Sequence, residues 1–255
     1  MPTSLPSRPR AAHPWLRAAL LSVAALSLGG AAGAQSFGFS PTTLQMDATK
    51  NLVAETVMIN STAAPARFTV LPRVWKVEGG KLVLLETRDL IVNPASFTVK
   101  PGGSQVIRVG LRKKPGDTEL SYRLLVQQEA IEGVELPKVS ADLGKDAKAG
   151  LNLTMTFSLP IYVTQPGAAP RVQFSAAASG QNLLLTVQNA GQRRAIYRSV
   201  TLTRGGASVG LQAISALAGS TQTLTLTGLG DKAGPLTIRY TGEDGQTLVQ
   251  TVALP

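Results

Sequence analysis

Residues 151–163 read Leu151-Asn152-Leu153-Thr154-Met155-Thr156-Phe157-Ser158-Leu159-Pro160-Ile161-Tyr162-Val163. The apolar side chains Leu151, Leu153, Met155, Phe157, Leu159 and Ile161 fall on odd positions, and Asn152, Thr154, Thr156 and Ser158 alternate with them. A period of two over at least eight residues is the signature of a β-strand with one apolar face, since successive side chains of a strand point to opposite sides. The preceding stretch, 129–150, is charged and contains glycines, and it reads as a long loop, which is uncommon without a function. The run Gln165-Pro166-Gly167-Ala168-Ala169-Pro170 that follows reads as a linker.

On either side of this segment lie short strands closed by turn residues. Leu52–Ile59 ends at Asn60-Ser61, Ala66–Trp75 at Gly79-Gly80, and Gln105–Leu111 follows Pro101-Gly102-Gly103; Leu82–Leu85 and Ser96–Val99 are shorter. Turn signals every 8–12 residues mark a β-sandwich. Beyond the linker, Asn182–Val187, Tyr197–Leu202, Thr221–Leu226, Leu236–Tyr240 and Thr247–Val252 form a second block. The sequence thus predicts an all-β chain of two sandwiches, 35–163 and 171–255, joined by a hinge at 164–170. Residues 120–131 are ambiguous, because their Leu, Gln and Glu favour helix by propensity.

The N-terminus reads as a secretory signal: Arg8, Arg10 and Arg17 precede the apolar run Ala18–Leu28, and Ala32-Gly33-Ala34 offers a small-residue cleavage site before Gln35. About 11 apolar residues are too few to span a bilayer, which takes about 20. Residues 1–34 are therefore expected to be removed, giving an exported, soluble chain without stable membrane insertion and lowering the net charge from +10 to +7.

The chain has no cysteine, and its one histidine, His13, lies in the expected signal. A mature chain without Cys or His lacks the usual thiolate and imidazole routes to nucleophilic, general-base and metal chemistry. No carboxylate pair, P-loop or acidic metal motif stands out. Aromatic residues make up 5% of the chain, too few for a base-stacking platform, so the positive charge reads as a solvated surface rather than a nucleic-acid site. A binding or assembly protein is expected, with no catalytic residue, metal or cofactor.

Several pieces resemble the periplasmic chaperones of fimbria and pilus assembly, the chaperone–usher family. They are Phe39-Ser40-Pro41, Asn60-(x)4-Pro65, Trp75, Leu90-Ile91-Val92-Asn93-Pro94 through Pro101-Gly102 to Gln105-Val106-Ile107-Arg108-Val109, Tyr122-Arg123-Leu124, Ser158-Leu159-Pro160-Ile161-Tyr162-Val163, and Leu183–Gly191 with its Asn189-Ala190-Gly191 turn. The Ser-Leu-Pro ending is similar to the divergent archaic, spore-coat-like branch. The resemblance implies two immunoglobulin-like sandwiches in a boomerang arrangement, with 120–127 a strand. It implies a periplasmic location, pilus or fimbrial subunits as partners, and delivery to an outer-membrane usher.

It also implies donor-strand complementation: a subunit lacking one strand borrows 151–157, with Leu151, Leu153, Met155 and Phe157 entering its groove. Toward the end of the strand, Pro160 and Tyr162 are expected to fill the chaperone's own core instead. Better-known members anchor the subunit's C-terminal carboxylate with an Arg and a Lys, where this chain has Thr43 and Pro160. Arg108 and Arg123, within strands, are the remaining candidates for that anchor, ahead of Lys100 and Arg112. The rival reading is an exported immunoglobulin-like structural protein or adhesin subunit, which has no need of a long charged loop feeding an alternating strand.

Overall fold

The computed structural model describes residues 37–134, 138–142 and 148–254; the expected signal, 1–34, lies outside them. Phe37 onward belongs to one compact unit built from strands and turns. In chain order the strands are β1 (Phe37–Ser40), β2 (Leu44–Asp47), β3 (Val53–Asn60), β4 (Ala66–Glu78), β5 (Lys81–Glu86), β6 (Leu90–Asn93), β7 (Ser96–Val99), β8 (Ser104–Leu111), β9 (Leu120–Glu129), β10 (Lys138–Asp142), β11 (Lys148–Asn152) and β12 (Thr156–Thr164). They continue as β13 (Val172–Ser179), β14 (Asn182–Asn189), β15 (Ala195–Arg204), β16 (Ala207–Ala216), β17 (Ser220–Thr227), β18 (Leu236–Thr241) and β19 (Thr247–Val252).

Two sheets enclose the first core. One has the order β1-β3-β8-β6, and the other β2-β12-β9-β4-β5, with β7 also paired to β4. Residues 120–129 form a central strand despite their helical propensity. Tyr122, Leu124 and Val126 are almost wholly buried on alternate positions, and packing of that face outweighs the small propensity cost. The second core lies between β13-β14-β17 and β16-β15-β18-β19 and is built from Leu183, Leu185, Val187, Leu202, Leu236 and Ile238 among others. The sequence pattern did not reveal β13 and β16, whose Ala, Ser and Gly give little contrast between faces.

Each half pins a turn with a buried asparagine at the end of an eight-residue strand, Asn60 of β3 and Asn189 of β14. Asn60 donates through Nδ2 to the carbonyls of Ala64 (2.9 Å) and Val99 (3.1 Å), and its Oδ1 accepts from the Thr62 amide. Asn189 repeats the geometry, donating to Arg193 (2.8 Å) and Ala216 (3.0 Å) and accepting from the Gly191 amide. Both side chains are fully used, which is what makes their burial tolerable. Gly191 has a separate reason to be glycine: a Cβ there would stand 2.4 Å from the Ala169 carbonyl oxygen.

The two cores meet through a small third cluster of Trp75, Tyr162, Leu217 and Ile196. Beside it, the Glu119 carboxylate accepts from Arg194 Nη1 at 2.6 Å, from the Arg194 amide at 3.1 Å and from Thr164 Oγ1 at 2.6 Å. The Arg194 guanidinium also lies 3.3 Å over the Tyr162 ring. Three hydrogen bonds to the Glu119 carboxylate offset the burial of this pair, whose side-chain exposures are 6% and 0%, while the buried Arg194 Nε has no partner among the described residues.

Two expectations are corrected here. The 129–150 segment is not a plain loop, because β10 and β11 form a hairpin within it, Lys138 facing Asn152 and Asp142 facing Lys148. The alternating segment is not one continuous strand either: β11 ends at Asn152, β12 begins at Thr156, and residues 153–155 between them are in neither.

Candidate functional site

The last strand of the first sandwich leaves part of its edge bare. β12 pairs along one side with β9, from Thr156 facing Gln127 to Val163 facing Leu120. Along its other side β2 covers only Ile161 to Thr164, in parallel. Thr156–Pro160 therefore have no strand on that side among the described residues. Pro160, which has no N–H to offer a ladder, stands where the bare edge ends, a position suited to proline. In the facing sheet β1 is also an end strand, paired among the described residues only with β3. The two open edges flank the same end of the core.

Aromatic rings fill the gap between them. Phe157 lies 6.0 Å from Phe37 and 5.1 Å from Phe39, and Phe37 stands edge-on, 5.2 Å from the buried Phe68. Three half-buried rings at the mouth of a sandwich are unusual apolar surface to leave at a rim.

One face of the strand passes from core to water across this mouth. Val163, Ile161 and Leu159 are 1%, 0% and 4% exposed, Phe157 and Met155 are half-buried, and Leu153 is 42% exposed. Met155 is held by Gln128, whose amide donates to the Met155 carbonyl (2.8 Å) and whose Oε1 accepts from the Met155 amide (3.3 Å). Of Leu151 only the backbone is described, paired with Val139.

The expected donor residues thus fall in three environments: Leu151 in the hairpin, Leu153 and Met155 toward solvent, Phe157 already against its own chain. The expectation that Pro160 and Tyr162 take over the core is corrected. The odd positions keep it to the end, because nothing in β12 breaks the alternation. Tyr162 is buried on the opposite face, with Trp75 and Leu217, and burial pushes its phenol pKa up. Pro160 lines a cleft on that face.

That cleft has a volume of about 420 Å³ and is lined by Thr43, Gln45, Arg123, Pro160 and Tyr162 of the first half and Arg193, Arg194, Arg198 and Glu243 of the second. Two of its arginines have carboxylate partners: Arg194 with Glu119, and Arg193 with Glu243 at 3.0 Å. Arg123 stacks 3.9 Å over the Trp75 ring, and burial lowers its pKa. Neither Arg123 nor Arg198 has a carboxylate partner among the described residues. The cleft therefore carries surplus positive charge, suited to an anion that can use a guanidinium fork.

Of the two arginines expected from the sequence, only Arg123 lies here, opposite Pro160 in the β9–β12 ladder. Arg108 stands on the outward face of the other sheet, paired with Glu55 at 3.2 Å.

Sequence reasoning missed Arg198, and its own strand shows why. Val200 and Leu202 are buried, so simple alternation would send Arg198 into the core with them. A bulge intervenes: the β15–β18 register shifts between Arg198 and Thr201, with Ser199 in the left-handed region at φ 49. Before the bulge Ala195 and Tyr197 pack on the second core while Ile196 and Arg198 face the cleft. A bulge re-aims a strand's side chains, and no residue pattern in this stretch announces it.

No family model matches the chain, and no curated relative matches it. Solved structures do. The complex of the CsuC chaperone with the tip subunit CsuE, from the archaic chaperone–usher Csu pili of Acinetobacter baumannii, aligns over 86% of this chain and 99% of the solved one, at 17% identity and TM-score 0.66. The E. coli chaperone DraB aligns over 87% and 97%, at 16% identity and TM-score 0.56. The complex of the SafA pilin with the SafB chaperone of Salmonella enterica aligns over 86% and 97%, at 15% identity and TM-score 0.55. At these identities the likeness establishes the fold: the chain is built as the two-sandwich pilus chaperones are.

Proposed function

We propose that this protein is a periplasmic chaperone that binds pilus or fimbrial subunits by lending them a strand, and passes them to an outer-membrane usher. The observation that carries the reading is the bare edge of Thr156–Pro160, continuous with an apolar face that runs out of the core through Phe157 and Met155 to Leu153. A sandwich has no stability reason to extend a core-facing pattern past its own core, and an open apolar edge invites aggregation. A partner missing one strand turns the same features to use. Its unpaired backbone takes the free edge, and its groove takes every second side chain. Phe37, Phe39 and Phe157 form the floor against which its first side chains rest.

The fold of the solved chaperones, two of them in complex with a subunit, supports this reading. So does the cationic cleft beside Pro160, whose Arg123 and Arg198 would hold a carboxylate of the bound subunit. The chemistry is binding only, with no substrate turned over.

The test is co-expression with groove-exposing subunits encoded beside this gene. The cognate subunit accumulates as a one-to-one complex when this protein is present and is degraded when it is absent. Failure to bind every such subunit would overturn the proposal in favour of an exported structural protein.

A further inference from the structure

We propose that Met155 is an oxidation site, and that conversion of its thioether to the sulfoxide switches off strand lending; the switch rests on the chaperone reading above. Beyond the expected signal the chain has no Cys and no His, and its methionines are Met46, Met58 and Met155. Met46 and Met58 are 3% and 0% exposed, inside the first core. Met155 is half-buried and lies between β11 and β12, in neither strand. Trp75, the one tryptophan beyond the signal, is 8% exposed and lies under the Arg123 guanidinium. An oxidant arriving from solvent therefore meets the Met155 sulfur first. Gln128 keeps it there: bonded to both the amide and the carbonyl of Met155, it fixes the residue in the apolar run between the exposed Leu153 and the half-buried Phe157.

The oxidant is a hydroperoxide. With hydrogen peroxide, a sulfur lone pair attacks one oxygen, the O–O bond breaks, and the proton on the transferred oxygen passes to the departing hydroxide. Sulfur is oxidised by two electrons to the sulfoxide, and the peroxide is reduced to water. The product is polar where the thioether was apolar. A groove shaped for apolar side chains has no donor for the new oxygen, so burying it there is unfavourable. The expected loss of subunit affinity is about tenfold to a hundredfold. Leucine fills nearly the same volume as methionine and has no sulfur, so methionine here adds a sensitivity that packing does not require. Sulfoxide reductases, one for each epimer, return the thioether and make the change reversible.

The experiment treats protein expressed from the full sequence with hydrogen peroxide, free and in complex with its subunit, and maps the added oxygen by peptide mass spectrometry. In the free protein Met155 should oxidise at least about tenfold faster than Met46 or Met58, and subunit binding should slow it by a similar factor. Once the peroxide is removed, the oxidised protein should bind subunit about tenfold to a hundredfold more weakly at an unchanged melting temperature. The two reductases together should restore binding. Met155→Leu should bind normally before and after peroxide, and Met155→Gln, a polar stand-in, should bind weakly without it. Equal oxidation of the three methionines would overturn the site. Full binding by protein oxidised at Met155, or loss of binding by peroxide-treated Met155→Leu, would overturn the switch. If the untreated protein binds no subunit, the chaperone reading fails and the switch with it, while the oxygen map still decides the site.

Discussion

Replacing Leu153 or Met155 with arginine separates a lent strand from an ordinary core strand. Leu153 already has just over half of its surface covered, and docking would bury the remaining 42%. If full burial of a leucine is worth about 1.5–3 kcal/mol, that fraction is worth about 0.6–1.3 kcal/mol. Leu153→Ala should then weaken subunit binding by about threefold to tenfold, at about 1.4 kcal/mol per decade. Leu153→Arg does more, because it carries an unpaired charge into an apolar groove at a cost of several kcal/mol; a loss of at least about a thousandfold is expected.

In the free protein the same arginine stays in water. Substitutions at such sites stay within about 0.5 kcal/mol, or about 1–2 °C in melting temperature for a chain of this length. Ile161→Arg, on the same face of β12 but fully buried, is the contrast and should unfold the first sandwich. The assay is a thermal melt of each free variant beside pull-down of the subunit. A fall of more than about 8 °C for Leu153→Arg, far beyond that range, would refute the reasoning, as would retention of wild-type binding.

Arg123→Ala should weaken binding of a subunit with a free C-terminal carboxylate more than one whose C-terminus is amidated, measured by titration calorimetry; equal losses would remove the carboxylate role. Glu119→Ala should destabilise the protein by about 3–5 kcal/mol, because it leaves the Arg194 charge buried and unpaired; the paired change Glu119→Leu with Arg194→Met should recover most of that loss in chemical denaturation. Burial, with Tyr240 and Glu243 nearby, raises the Tyr197 pKa to about 12. The unfolded state then loses this proton first, near its ordinary pKa of about 10. The stabilising contribution is therefore complete below about pH 10 and falls as pH rises toward about 12, and Tyr197→Phe should flatten the fall in denaturation midpoint between those values. For the proposed hinge at 164–170, limited proteolysis should cut first within 129–150, because the Ala169 carbonyl is tied to the Gln192 and Arg193 amides; early cuts inside 183–240 would contradict a two-domain division.

Much of this protein follows from local rules that a sequence displays. Alternation, turn residues and their spacing specify strands, and an apolar face must find a second layer, so two sandwiches were legible from Leu52–Ile59, Gln105–Leu111 and Asn182–Val187. The apolar face that we propose is lent was legible too, as the odd positions of 151–161. The strand at 120–129 needed more than propensity, because its Leu, Gln and Glu suit a helix and only burial of Tyr122, Leu124 and Val126 between neighbours decides otherwise.

The sequence had no means of showing where the apolar face leaves the core. Leu153 and Ile161 share one parity and differ only in whether another sheet stands above them. Nor could it place the cleft. Arg108 and Arg123 look alike in their strands, yet one meets Glu55 on an outer face and the other Trp75 beside the second half. Arg198 enters the site through one extra residue in β15. Strand formation depends on neighbours along the chain, whereas exposure, pairing and the meeting of charges depend on residues far apart in sequence, so only the assembled tertiary structure determines them.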